Sequence, residues 1–406
     1  MALPDAVQVL CDRCLGRRLI GAAGVEPQRA EAQTARTWSE VAEKDCPVCE
    51  GAFLESDAWL RVALDAAKPY QFRTFQVGTQ FPISGEALER ELSAAMGQGK
   101  VGESIRTEAN RALTAAFAAA TGAAAVQEGR PELVLKVDTR YHDAEVDPAP
   151  VFVRGRYTKH RRDIPQTHWP CRRCQGLGCW QCNDTGVTYA ESVEDAVGIP
   201  ALPLFSATGY AFHGAGREDI DALMVGTGRP FILELKGPKR RVADLPALAG
   251  TVNAAMALSG VAVRDLRMAA AEEVAAIKAA DYAKEYLAHC VAEAPLARSA
   301  VLDAAARLSG ATLEQRTPDR VAHRRADLVR KRTVHRVAVE RMEGDASERF
   351  SLRVLAESGT YIKEFVSSDE GRTQPSVSAA LGLPVKVEFL DVVAILDAPQ
   401  SLPAPI

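Results

Sequence analysis

Apolar and polar positions fall into two rhythms along the second half of the chain. RPFILEL (229–235), EYLAHCVAE (285–293), HRVAVERM (335–342), FSLRVLAES (350–358) and VKVEFLDVVAIL (385–396) are short and rich in β-branched and aromatic residues, and they predict strands. Alanine-rich LPALAGTVNAAMALSG (245–260) and ARSAVLDAAARLSG (297–310) have the apolar spacing of helices. Strands and helices that take turns in this way predict a mixed α/β domain over 191–406. Upstream, YQFRTFQVGTQFPI (70–83) reads as strand-like, and SGEALERELSAAM (84–96) and GESIRTEANRALTAAFAAATG (102–122) as helices. ELVLKVDTRY (132–141) and APVFVRGRYTKHRR (149–162) read as strands again. That pattern predicts a compact α+β module over about 51–160, ending on a basic edge. A polar stretch before residue 50 reads as weakly structured, too poor in apolar residues to fold alone. The tail APQSLPAPI (398–406) is Pro-rich.

At 406 residues the chain has room for two or three domains, and no apolar run approaches the roughly 20 residues of a membrane span. The opening MALPDAVQVLCDRC has neither the basic flank nor the apolar core of a signal peptide, so a cytoplasmic location and no membrane partner are expected. A net charge of -4 argues against wholesale basic binding of nucleic acid while leaving room for local patches. Nothing in the pattern suggests an extended apolar self-association surface, so a monomer is expected.

Cysteine usage changes the picture more than charge does. Of nine cysteines, eight form C-x-x-C pairs: Cys11/Cys14, Cys46/Cys49, Cys171/Cys174 and Cys179/Cys182; Cys290 stands apart as a buried small residue. Where thiols stay reduced, such pairs read as metal ligands, and four sulfurs suit a closed structural zinc. One or two structural zinc sites are expected. The spacing leaves open whether each neighbouring set is self-contained, and iron would accept the same ligands. Only four residues separate the pairs of the second cluster, 165–190, where Gly176 and Gly178 would supply positive-φ turns.

Basic residues gather at Arg154–Arg162, Lys236–Arg241 and Arg320–Arg336. Any one run alone reads as a solvated surface, but three beside two cysteine modules point to phosphate contacts. Arg154, Arg156, Lys159, Arg324, Arg325 and Arg330 are the candidates. The glycines of HGAGRED and VGTGRPF lack the third glycine and the strand-to-helix setting of a dinucleotide fingerprint, and no Walker-type loop occurs. No nucleotide cofactor is expected. FHGAGREDIDALMVGTGRPFILEL (212–235) also poses a puzzle, because it sets Glu218, Asp219 and Asp221 beside an apolar strand, where an uncompensated ion is costly.

HGAGREDIDALMVGTGRPF, KEYLAHC, QRTPDRVAHRRADLVRKR and SGTYIKEFVSSDEGRTQPSV closely resemble the tRNA pseudouridine synthase family of archaea and eukaryotes that modifies the TΨC arm. GRYTKHRRDIPQTHWPCRRC resembles that family's junction between a THUMP-type RNA-binding module and the catalytic domain. The resemblance implies a pseudouridine synthase mixed-sheet catalytic domain at 191–406. It also implies a zinc-containing, THUMP-like accessory region at 1–190, with the first thiol site in about 1–50. It implies tRNA as partner and uridine 55 as target, with uridine 54 a second candidate. Asp219 would be the obligatory aspartate, ahead of its neighbour Asp221. Tyr286 in the K-x-Y strand (Lys284, Glu285, Tyr286) would support the flipped base, and Lys363 after Gly359–Ile362 would pair with Asp219. Ile362 and Leu390 would keep the cavity dry, with Tyr361 at a helix start. His213 and His289 have no metal-spaced partners and read as fold residues. No catalytic cofactor is implied. Two other readings are a THUMP-bearing tRNA methyltransferase or thiolase, which would need a glycine-rich or P-loop, and a non-catalytic zinc-dependent RNA chaperone, which would bind tRNA without product.

Overall fold

The computed structural model describes residues 4–96, 102–324 and 326–396. Arg325 and the Pro-rich tail lie outside the described residues. The chain divides into two compact units, one running to Pro150 with Lys236–Arg241 added, the other Val151–Leu235 with the chain from Val242 onward.

In the first unit, strands Ala124–Ala125, Thr74–Gln80 and Leu133–Asp138 run parallel, and Asp143–Pro148 closes the sheet antiparallel. Helices Ser56–Ala67 and Ile105–Thr121 pack on it around Trp59, Phe75, Phe117 and Leu135, all buried. Residues ahead of 50 are not weakly structured. Two helices, Asp12–Ile20 and Val25–Ala35, lie so close that a Cβ at Gly16 would stand 1.8 Å from the Gln28 carbonyl oxygen. Apolar counting missed them because ions hold them: buried Arg17 donates to Glu108 at 2.8 Å and to Glu89 at 3.0 Å. The first four thiols belong to this same core.

The second unit is built on a ten-stranded sheet. In spatial order its main path runs Thr373–Gln374, Thr312–Arg316, Val329–Met342, Ala346–Ala356, Ala283–Ala297, Val385–Leu396, Ala222–Lys236, Val151–Lys159 and Val261–Ala269. Gly209–Gly214 pairs beside Ala222–Lys236. Neighbours on the main path are antiparallel except Val385–Leu396 with Ala222–Lys236, where Leu390 stands opposite Ala222. The predicted strands and helices of this half all form. The division falls at Pro150 rather than 190, because Val151–Lys159 pairs with strands on both sides and the second cysteine cluster follows it into this unit. The sequence reading also passed over a helix, Val193–Phe205, which carries Pro200 and Pro203 inside it and is capped by the Ser192 hydroxyl. The VGTG glycines serve the sheet: Gly226 has φ +58°, and a Cβ there would lie 2.0 Å from the Val393 carbonyl oxygen.

Candidate active site

The loop 215–221 joins Gly209–Gly214 to Ala222–Lys236 and answers the puzzle of its carboxylates. Glu218 points down: its side chain and that of Arg229 are each 1 % exposed and pair at 2.8 Å. The buried Tyr157 hydroxyl donates to the Glu218 carboxylate, 2.8 Å from each oxygen. Arg229 donates to the Ala215 carbonyl at 2.8 Å, and Gln166 to the Tyr157 hydroxyl at 2.8 Å and the Gly216 carbonyl at 3.0 Å. Burial alone would lower the Arg229 pKa, but Glu218, Tyr157 and Tyr286 together prevail and raise it, so the guanidinium stays charged. Breaking such a pair from one side costs about 3–5 kcal/mol.

Lys159 anchors the same loop from below. It is wholly buried, and its ammonium donates to the carbonyls of Ile164 at 3.1 Å, Asp219 at 3.3 Å and Ile220 at 2.9 Å. Burial lowers its pKa. Lys159 therefore offers no charge to RNA, against the expectation from the basic run. Alternation along Val151–Lys159 buries residues 151, 153, 155, 157 and 159 on one face, a parity that composition concealed. Arg154 and Arg156 lie on the opposite face and are engaged within the protein: Arg154 with Glu273 at 2.9 Å, Arg156 with the carbonyls of Thr227 at 2.6 Å and Gly228 at 2.9 Å. Arg330 donates to the Thr317 hydroxyl at 3.0 Å. Arg324 is described in its backbone alone.

Asp219 and Asp221 point the other way, onto a cleft of about 770 Å³. Asp219, its side chain 36 % exposed, meets the Arg320 guanidinium at 3.0 Å and Lys363 Nζ at 3.8 Å; Lys363 lies nearer Asp221, at 2.7 Å. Arg320 is held in turn by Glu364, whose carboxylate accepts from its Nε at 2.6 Å. Burial raises the Asp221 pKa, but the Lys363 hydrogen bond and charge prevail and hold it below the ordinary value. The expected Lys363–Asp219 pair thus forms a wider chain of three carboxylates and two cations. Arg320 was counted within a basic run, and its place in the resembling segment QRTPDRV was the available signal.

The cleft floor comes from strand register. Tyr286 stands between Val354 and Val392 on neighbouring strands, and Leu390 sits opposite Ala288. Tyr286, Leu390 and Ile362 are all buried and all line the cleft, as does Tyr361, which precedes helix Ile362–Ser367. Burial, reinforced by Asp219 and opposed by Arg229, pushes the Tyr286 phenol up to about 12, so it keeps its proton. Lys284, on the same strand face, is lowered to about 8 by burial and by Arg229; its ammonium donates to Ser358 Oγ at 3.0 Å. His213 bonds Glu234, His289 bonds Asp391 and Ser351, and Cys290 is buried, as fold residues should be.

The thiols form two self-contained sets, Cys11, Cys14, Cys46 and Cys49, and Cys171, Cys174, Cys179 and Cys182, with the sulfurs of each set within 4.8 Å of one another. Tetrahedral ligation at the usual metal–sulfur length needs sulfurs about 3.8 Å apart. The contacts are 3.8 Å for Cys11–Cys49, 3.9 Å for Cys171–Cys179, 3.8 Å for Cys174–Cys182 and 3.7 Å for Cys179–Cys182. Donors face the sulfurs as thiolates require: Arg17 on Cys14 at 3.4 Å, and the Cys179 and Gly186 amides on Cys182 at 3.3 Å each. Gly176 and Gly178 take φ of +101° and +88°. Both sets could hold a metal ion.

The family model described as "Pus10, C-terminal" matches residues 152–396, and "Pus10 THUMP domain, archaeal" matches 59–138. A Halorubrum lacusprofundi protein named tRNA pseudouridine synthase Pus10 is 38% identical over 404 residues, 95% of this chain and 93% of its own. The chain belongs to the Pus10 family. An Archaeoglobus fulgidus protein of the same name is 39% identical over 355 residues, 87% of this chain and 96% of its own. Among solved structures, a chain of a Cbf5-Nop10-Gar1 complex aligns at 16% identity over 48% of this chain and 44% of that one, with a TM-score of 0.31. The match from 152 agrees with the division at Pro150: the Pus10 C-terminal match takes in residues 152–159 of the Val151–Lys159 strand and the second thiol set. Among the described residues, no helix is long and apolar enough to cross a membrane.

Proposed function

We propose that the chain isomerises uridine 55 in the TΨC loop of tRNA to pseudouridine, with uridine 54 as a second candidate target, and that Asp219 is its nucleophile. One observation carries the reading: a single aspartate, set between Arg320 and Lys363, stands over a buried floor of Tyr286, Ile362 and Leu390. Attack of its carboxylate on C1′ displaces the uracil through N1; the base turns, bonds C1′ through C5 and releases the carboxylate. C5 loses a proton and N1 gains one, so the product is an isomer and needs no oxidant or energy source. Arg320 and Lys363 pair with the Asp219 carboxylate and fix its direction, and Tyr286, protonated throughout, supports the base after it leaves the RNA stack.

Zinc is the metal proposed for both thiol sets. A closed four-sulfur site leaves no position for substrate, so its contribution is structural. Arg330 and Arg324 remain candidate phosphate contacts, and the first unit is proposed to grip the tRNA away from the target.

The test is Asp219→Asn with unmodified tRNA and no added cofactor, read by carbodiimide labelling. Pseudouridine formation should fall at least about 10³-fold, with tRNA affinity in filter binding little changed. Full activity in this variant would remove Asp219 from its role; tRNA binding by the wild type without product would favour a chaperone.

A further inference from the structure

The second thiol set does more than fold its own loop, because its neck forms one wall of the cleft. Pro170 pairs with Val187, Thr188 N–H donates to the Trp169 carbonyl at 2.9 Å, and Cys171 N–H to the Gly186 carbonyl at 2.7 Å. This short ladder is closed by the cysteines at 171 and 182, and it delivers Trp169 and Tyr189 side by side, ring centroids 5.5 Å apart and edge to face. Both rings are half-buried, and both line the same cleft as Asp219. The Arg217 guanidinium lies 4.7 Å from the Trp169 ring centroid. Arg217 is only two residues before Asp219, so their backbones are within about 7 Å.

None of the steps at C1′ uses these three side chains. Trp169 and Tyr189 stay half-buried and Arg217 exposed, so the three side chains stand at the cleft surface and are not core elements. Unstacked nucleobases are held by such surfaces, between aromatic rings and guanidinium planes. A uridine drawn out of its loop leaves its neighbours without a stacking partner, and Trp169 and Tyr189 line the cleft that holds Asp219.

We infer that Trp169, with Tyr189 and Arg217, is a stacking subsite for a nucleobase flanking the target uridine in the same RNA strand. The inference rests on the pseudouridine synthase reading of the cleft. It makes Trp169 a substrate-binding residue and ties the second thiol set to substrate binding through the neck.

The experiment uses the full, metal-loaded chain and TΨC-arm transcripts that are intact or carry an abasic site immediately 5′ or 3′ of the target. Wild type, Trp169→Ala and Trp169→Phe are compared by KM, and by Kd in the Asp219→Asn background. Trp169→Ala should weaken Kd for the intact transcript about tenfold, and Trp169→Phe should restore most of it. One of the two abasic sites should weaken wild type by a similar factor yet leave Trp169→Ala no weaker than it already is. Full affinity in Trp169→Ala, or losses that simply multiply when variant and abasic site are combined, would overturn the subsite. Because the coupling appears in Kd without turnover, a wild type that binds but forms no pseudouridine defeats the isomerase reading, while the stacking subsite is decided by its own binding data.

Discussion

The two thiol sets share a ligand chemistry and differ in almost everything around it. The first is sunk in an apolar core with Val7, Leu10, Leu15, Trp59 and Phe81, and a buried Arg17 links one of its sulfurs to the helices of the α+β module. The second has one buried cysteine and three half-exposed ones, and displays Leu177 at 92 % and Trp180 at 72 % exposure. A tetrahedral site in a core replaces packing that a small unit lacks; the same site on a surface loop fixes the direction of what it carries. The first should therefore govern stability and the second binding.

The strongest challenge to that contrast is Cys46→Ser. It should cost on the order of 5 kcal/mol or more and leave the first unit unfolded or molten in thermal denaturation, with one metal equivalent lost by elemental analysis. Arg17→Met comes next, because it leaves buried Glu89 without its ion-pair partner and Glu108 with Arg13 alone; a loss of about 3–5 kcal/mol is expected in chemical denaturation. Cys179→Ser should lower global stability by only about 1 kcal/mol or less while reducing tRNA affinity in filter binding. If it instead melts the protein as Cys46→Ser does, the contrast fails. The smallest effect concerns pH. Lys284 is lowered to about 8 in the fold against an ordinary value near 10.5, so between these values the unfolded chain binds more protons and stability rises with pH. Melting temperatures measured across that window should rise less in Lys284→Met than in wild type.

Elements of the second unit were legible because its strands are rich in β-branched and aromatic residues, and one of them, Ala283–Ala297, also buries Lys284, Tyr286, Ala288, Cys290 and Ala292 in turn. Helices Asp12–Ile20 and Val25–Ala35 were not, since they meet through Gly16 and Gln28 and the first is tied to the module by the buried Arg17 ion pairs, none of which hydrophobic spacing registers. Helix Val193–Phe205 was hidden by two prolines. In the cleft, the aspartates, Tyr286, Leu390 and Lys363 could be named from resembling segments, but charge runs misled. Arg320 and Lys159 both belong to basic runs, yet one faces the cleft in an ion chain and the other is walled into the sheet. Strand parity buries Lys159, whereas Arg320 sits on the 3-10 turn Asp319–Arg324 and lines the cleft.

Lys159 also dictates where the chain can be cut. A catalytic fragment begun at residue 191 would leave behind Tyr157, Lys159 and Gln166, the hydroxyl, ammonium and amide on which the 215–221 loop is seated. Dissection of this enzyme into working halves must therefore start the second half immediately after Pro150.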